Sequence, residues 1–381
     1  MLLPGLLSAG KPVTELLISV ALDPPPAVLQ ARKAFVLLDA EARKSAKGNA
    51  LLAALEQQEK GLVHVVSGGE GVKTRRQAED VALSLPDDVD HMIVCGGGAT
   101  LNLGTFVAGQ APSRPALTLV PTTTMAMADV AVGGLGMLND DEGKKNSIRV
   151  RRDPDRILIF PDFLVDAPAG VIRGGIIEGV KHAMLQSPSD GRRLLALYLD
   201  NPPNVDACFH AALETLRLKA ELLGRLDRDS EDAIERLFSY GHLHAHVIET
   251  CSQWRRPHDQ CVVIGILMDL LLTEDVEFEP ALRMVLGSAA AACLSPMLAP
   301  KLIDMYLAAY PDGGREARGR GRFAVLERGG LDIVLRQPAP LNLPERVVSL
   351  REIAAAYESL GTAFAKHKNQ ATFSIQKPQV K

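Results

Sequence analysis

The sequence predicts an α/β N-terminal half built on a parallel sheet, followed by a mostly α-helical C-terminal half. Three observations carry that expectation. Short apolar runs recur through roughly the first 120 residues, each closed by Gly, Pro or Asp; Ala/Leu/Glu-rich stretches with helical spacing separate them; and after about Asp162 long helical patterns take over. Strands and helices alternating in this way build a Rossmann-like parallel sheet with helices on both faces. A chain of 381 residues exceeds one ordinary core, so two domains are expected, at residues 1–161 and 162–381.

In chain order, Ala34-Phe35-Val36-Leu37-Leu38-Asp39 and the runs at 62–66, 91–95 and 116–120 read as buried strands. Uninterrupted Val, Ile and Leu suit a sheet covered on both faces. Residues 50–59 and 74–85 read as the helices between them, and 208–226 and 229–251 as long helices of the second half. A cofactor and a substrate would meet in the cleft between the halves. The polar tail 367–381 reads as frayed.

Composition excludes several function classes. With 47% apolar and 23% charged residues the balance is that of a soluble globular protein, and a net charge of −4 leaves no footprint for nucleic acid or an anionic membrane. Five cysteines without zinc-ribbon spacing are simplest as reduced thiols of a cytoplasmic protein. The opening Met1-Leu2-Leu3-Pro4-Gly5 has no basic segment and does not read as a signal peptide, and no apolar run elsewhere is long enough to span a bilayer.

Glycine-rich turns follow three of the strands. Cys95-Gly96-Gly97-Gly98-Ala99-Thr100 stands between a strand and a helical stretch, so its amides can approach a pyrophosphate, as in dinucleotide sites. It lacks the G-x-G-x-x-G spacing and, alone, reads first as a tight βα turn. Ser67-Gly68-Gly69-Glu70-Gly71-Val72-Lys73 can bring Glu70 and Lys73 to an adenosine ribose, and Pro121-Thr122-Thr123-Thr124 offers hydroxyls to the same ligand. Open α/β sheets bind ligands at such strand ends.

The second half carries a candidate metal trio. Glu178 lies in Gly174-Gly175-Ile176-Ile177-Glu178-Gly179-Val180-Lys181, His242 opens Gly241-His242-Leu243-His244-Ala245-His246, and His258 follows Arg255-Arg256-Pro257. One carboxylate and two imidazoles hold Zn²⁺ with a position left open for chemistry. By spacing alone each residue is more often a surface or satisfied polar side chain than a ligand.

Taken in order, GGE-x-x-K, GGG, PTT followed by Asp129 and Val132-Gly133-Gly134, Lys145-Asn146, G-x-x-E-x-x-K, GH-x-x-x-H and a lone His before an apolar helix form a pattern. From about Phe35 to Gly265 that pattern resembles 3-dehydroquinate synthase and its relatives, the sugar phosphate cyclases. Iron-type alcohol and glycerol dehydrogenases share the architecture, but Glu178 favours the cyclases. The resemblance implies NAD and Zn²⁺, or another divalent ion such as Co²⁺, held by Glu178, His242 and His258. It implies cofactor contacts at Glu70, Lys73, Gly97, Gly98, Asn102, Thr122, Thr123, Asp129 and Lys145. Around the substrate it implies Lys181, Lys145, Asn146, Lys219 and His246, with His246 acting on the phosphate or shuttling a proton. The implied reaction oxidises a secondary hydroxyl transiently, eliminates phosphate, re-reduces the ketone and closes a carbocycle by intramolecular aldol addition. A homodimer is implied as well.

Departures from the pattern bear on substrate. The family's GGK is Gly133-Gly134-Leu135 here, and losing one charge-assisted hydrogen bond costs roughly 1.5–3 kcal/mol. The family's carboxylate-binding Arg falls on Glu235 and a nearby Asn on Ser239, so Glu235 would repel a carboxylate and accept from sugar hydroxyls. Asn102 replaces an acid, and Asp259-Gln260 replaces Gly-Glu. Arg114, from a partner subunit, and Arg315 or Arg318 are candidates for missing cations. The expected function is therefore a cyclase of secondary metabolism acting on a sugar phosphate without a carboxylate, as in enzymes that make 2-deoxy-scyllo-inosose. Three other readings stay open: 3-dehydroquinate synthase itself, a polyol dehydrogenase of the glycerol dehydrogenase type, and a non-catalytic homologue.

Overall fold

Six parallel strands frame the N-terminal half: β1 (Glu15–Ile18), β2 (Ala34–Asp39), β3 (Gly61–Val66), β4 (His91–Gly96), β5 (Ala116–Pro121) and, after a hairpin of β6 (Leu135–Leu138) and β7 (Ile148–Arg151), β8 (Arg156–Ile159). The computed structural model describes residues 7–8, 11–12, 15–18, 33–56, 61–141, 145–184, 188–225, 241–272, 325–327, 331–335 and 346–349. Glu235, Ser239, Arg315, Arg318 and the tail 367–381 lie outside the described residues.

The order across the sheet is β1-β8-β5-β4-β2-β3, every pairing parallel. Side chains of a strand alternate between faces, and this sheet sorts them accordingly. Phe35, Leu37, Met92, Val94, Leu117 and Leu119 join one buried cluster; Val36, Leu38, Ile93, Cys95 and Val120 join the other. Each side chain of this size contributes about 1.5–3 kcal/mol on burial.

Helices cover both faces. The β2 end is Asp39, whose carboxylate accepts from Glu41 N and caps α1 (Ala40–Lys44), followed by α2 (Ala46–Glu56). Thr74 caps α3 (Arg75–Ser84) by accepting from Gln77 N. The largely buried α4 (Gly98–Gln110) lies in the first cluster, with its Leu101, Leu103 and Val107 there. The short α5 (Ala169–Arg173) leads into α6 (Ile176–Met184), α7 (Pro188–Leu199) and α8 (Val205–Arg225), and α6 packs on both α7 and α8. Phe209, Ala212, Leu216 and Ala220 of α8 enter the same cluster as α4. Then α9 (His242–Cys251) packs on α10 (His258–Leu272).

Three expectations change. Among the described residues the run at 62–66 is an edge strand, not a buried one; there it pairs with β2 alone and exposes Leu62, Val63 and Val65. Apolar composition alone does not distinguish an edge from a centre. The second half also holds an antiparallel sheet of β9 (Val325–Glu327), β10 (Leu331–Leu335) and β11 (Arg346–Ser349). Finally, the helix read over 229–251 has its described part starting at His242, after Gly241 in the left-handed region (φ 73). Among the described residues no helix is long and apolar enough to cross a membrane.

Candidate metal and cofactor site

Helix α6 carries Glu178 and is fixed to the sheet at its first turn. The Thr124 hydroxyl, just past β5, accepts the Gly175 N–H at 3.0 Å and donates to the Val171 carbonyl at 2.8 Å. A Cβ on Gly175 would lie 2.2 Å from the Thr124 carbonyl carbon, so only glycine permits this approach. A second glycine contact sets the histidines. A Cβ on Gly265 of α10 would lie 1.8 Å from the Gly241 carbonyl oxygen, so α9 and α10 meet backbone to backbone where His242 begins.

These contacts bring together groups far apart in sequence. Glu178 Oε1 lies 3.4 Å from His242 Nε2 and 3.4 Å from His258 Nε2, while Oε2 is paired with Lys181. Ligand atoms of the trio all lie within 4.8 Å of one another. Burial alone would raise the Glu178 pKa, but Lys181 and then His242 hold it well below the carboxylate range. Burial and Lys181 lower the His242 pKa. A buried carboxylate oxygen shared between two imidazole nitrogens is a donor set that fits a divalent ion.

Asp129, Glu178 and His182 form a second group within 4.8 Å. In this second group the Asp129 carboxylate already carries a cation. Lys219 Nζ already sits 2.7 Å from Asp129 Oδ1 and 2.6 Å from its carbonyl oxygen, occupying the acid with a positive charge. His182 Nε2 lies 3.8 Å from Asp129 Oδ1, and burial lowers its pKa to about 4, so it is neutral.

The third ligand candidate has its own carboxylate. Glu249 Oε1 accepts from His258 Nδ1 at 2.8 Å, and both Glu249 oxygens receive Lys145 Nζ, at 2.7 and 2.8 Å. Burial disfavours a charged His258, yet Glu249 lifts its pKa to about 9. Tyr198 donates to Asp259 at 2.7 Å, which ties the first turn of α10 to α7.

At the strand ends, Gly97 precedes α4 with no side-chain cap, leaving first-turn amides for an anion. Thr122 N bonds the Gly96 carbonyl at 3.0 Å and Thr123 Oγ1 accepts from Ala126 N at 3.1 Å, which sets the two turns side by side. Because β2 separates β3 from β4, Asp39 stands between the Gly68 turn and the triple glycine, and its Oδ2 accepts from Thr100 at 3.0 Å. Lys73 pairs with Glu70 at 3.0 Å and also donates to Asn146; Asn139 joins them through Glu70 Oε1 and Asn146 N. Asn102 is buried with its amide on the Gly98 carbonyl at 3.1 Å.

A family model described as 3-dehydroquinate synthase N-terminal matches residues 63–173. The chain is 31% identical to the 3-dehydroquinate synthase of Pyrobaculum aerophilum over 221 residues, 56% of this chain and 62% of that one. In structure it matches a 2-deoxy-scyllo-inosose synthase complexed with carbaglucose-6-phosphate, NAD⁺ and Co²⁺ at TM-score 0.69 and 18% identity, covering 91% of this chain and 96% of that one. It also matches ValA, the 2-epi-5-epi-valiolone synthase of Streptomyces hygroscopicus subsp. jinggangensis with NAD⁺ and Zn²⁺ bound, at TM-score 0.65 and 19% identity, covering 94% and 99%. The chain is thus similar in sequence to 3-dehydroquinate synthases and in fold to these two cyclases. In sequence it spans from about half to three fifths of the length of curated relatives that it matches.

In this dehydroquinate synthase-like chain the expected residues fall into connected groups. Glu178, His242, His258 and Lys181 meet at one point; His246 lies beside His242, ring centroids 5.4 Å apart; Lys145 joins through Glu249, and Lys219 through Asp129. Each expected lysine is held by a carboxylate: Lys73 by Glu70, Lys145 by Glu249, Lys181 by Glu178 and Lys219 by Asp129. Arg114 sits exposed before β5, at the end of the strand opposite Thr122. Sequence reading missed Asp39, Glu249 and His182. For Glu249 a signal existed, since 242, 246 and 249 share one helical face.

Proposed function

We propose that the protein is an NAD- and zinc-dependent sugar phosphate cyclase, with residues 1–161 presenting the dinucleotide and 162–381 the metal and substrate. The observation that carries this reading is Glu178 Oε1 placed 3.4 Å from both His242 Nε2 and His258 Nε2, in a fold whose solved relatives bind NAD⁺ with Zn²⁺ or Co²⁺. We take it to act in the cytoplasm, an expectation that rests on its cysteine usage, and as a homodimer, an expectation that rests on the resemblance alone.

Residues of this chain divide the work. Glu178, His242 and His258 hold the ion, and the turns at Gly97, Gly98, Thr122 and Thr123 hold the dinucleotide, with Glu70, Lys73 and Asp129 keeping its surroundings in place. When bound, these groups supply hydride uptake and return and the stabilisation of negative charge on a substrate oxygen. Lys145, Asn146 and Lys181 offer donors to a phosphate, which must compete with Glu249 and Glu178 for the two lysines. His246, beside His242, holds or delivers a proton at the leaving group. Lys219 keeps Asp129 ionised and oriented. Leu135 opens β6 without a cation, which supports a substrate lacking a carboxylate, with Glu235 accepting from its hydroxyls.

A panel of sugar phosphates, assayed with NAD⁺ and Zn²⁺ for phosphate release, tests the reading. The expected result is phosphate release from a substrate without a carboxylate and no net NADH. Turnover of a carboxylated heptulosonate alone would instead establish 3-dehydroquinate synthase, the reading favoured by the 31%-identical relative. Accumulating NADH would mark a polyol dehydrogenase, and tight NAD and metal binding without turnover a non-catalytic homologue.

A further inference from the structure

We infer that Glu249 is a positioning residue for the metal: its carboxylate selects the His258 tautomer that turns Nε2 toward Glu178, while its main-chain carbonyl closes the turn that delivers His258. The inference rests on the metal reading of Glu178, His242 and His258 and adds to it a group outside that trio.

Three contacts converge on Glu249. Its Oε1 accepts from His258 Nδ1 at 2.8 Å, so the ring presents Nε2 to Glu178 Oε1, 3.4 Å away. An imidazole that ligates through one nitrogen is commonly fixed by a carboxylate on the other, and loss of that partner typically lowers metal affinity 10–100-fold. The Glu249 carbonyl receives Trp254 N at 3.0 Å and Ser252 Oγ at 2.9 Å, closing the turn between α9 and α10. That turn runs through Gln253 and Trp254 in the left-handed region (φ 52 and 60), a conformation that non-glycine residues keep only when the surroundings enforce it.

Lys145 is the competing partner. It reaches both Glu249 oxygens, lies 3.4 Å from His258 Nδ1 and stands over the Trp254 ring, 5.7 Å from its centroid. Lys145 belongs to the N-terminal half and Glu249 to α9, so the carboxylate joins the halves while orienting the ligand. If orientation of His258 is the function, Glu249 matters to the metal and Lys145 does not, because Glu249 keeps its Nδ1 bond when the lysine is removed.

The test uses the full chain and Co²⁺ alone, with affinity from competition against a chromophoric chelator and geometry from the visible d–d absorption. E249Q and E249L are expected to bind Co²⁺ about 10–100-fold more weakly, with a changed d–d spectrum. K145M is expected to keep both the affinity and the spectrum of the parent. E249Q with parental affinity and spectrum would overturn the inference, as would K145M losing affinity as severely as E249Q. Should E249L fail to fold, E249Q, which preserves the shape of the side chain, decides. A parent chain that takes up no Co²⁺ sinks the metal reading itself and this inference with it, whereas loading by the parent but not by H242A separates the two.

Discussion

Thr124 accepts the backbone N–H of Gly175 at 3.0 Å, and this bond fastens the turn that closes β5 to the helix that carries Glu178. The C-terminal end of β5 and helix α6 are thereby joined directly. Thr124→Val removes the acceptor and leaves a buried N–H unpaired, a loss of about 1–3 kcal/mol. Gly175→Ala forces a methyl group into the Thr124 backbone and is expected to be at least as costly. Urea denaturation of both variants, with NAD and Zn²⁺ affinities measured in parallel, would show stability and both affinities falling together. Unchanged metal affinity in a destabilised Gly175→Ala would separate the two ends of the site.

Gly265 offers a matched comparison. Its Cβ would collide with the Gly241 carbonyl, whereas a Cβ on Gly71 meets nothing within 4 Å. Gly265→Ala is expected to lower Tm by several degrees and to weaken metal binding, because His242 follows Gly241 directly. Gly71→Ala should leave both within error. Differential scanning calorimetry with metal titration checks the pair.

Glu178 and Lys181 form a buried ion pair. Glu178→Leu in metal-free protein is expected to cost about 3–5 kcal/mol, since it removes one partner of that pair. Adding Lys181→Met should recover much of that loss. A double-mutant cycle by denaturant unfolding in chelator reads the coupling; strict additivity would show that the two side chains do not interact.

The His258–Glu249 pair gives metal-free stability a pH dependence of definite sign. The folded pKa of His258 is raised from 6.5 to about 9. Its stabilisation is therefore fully present below about pH 6.5 and is lost as pH rises through about 9, amounting to at most about 3 kcal/mol with a quarter of the side chain exposed. Melting curves from pH 6 to roughly pH 10 should show this decline in the parent and a flatter profile in His258→Gln. Metal must displace the same proton, so apparent Zn²⁺ affinity should climb with pH over that window.

The local units were legible in the order of residues. Apolar runs at 34–39, 91–95 and 116–120 became β2, β4 and β5, Thr74 capped its helix, and the glycine turns fell at strand ends. These follow from side-chain alternation, capping and backbone freedom, which depend on neighbours a few residues away. The ordered motifs also brought Glu178, His242 and His258 under consideration together. Only the tertiary structure decided which strand lies beside which: β8, too short to announce itself, entered between β1 and β5, and β3 went to the exposed edge. It alone decided the partner of each buried charge. Lys145 and Glu249 stand 104 residues apart in the chain, yet they meet at 2.7 Å, and no local pattern encodes that meeting. A buried ion pair is selected by the whole arrangement of packed helices and sheet, because each charge needs an opposite one wherever the fold leaves it.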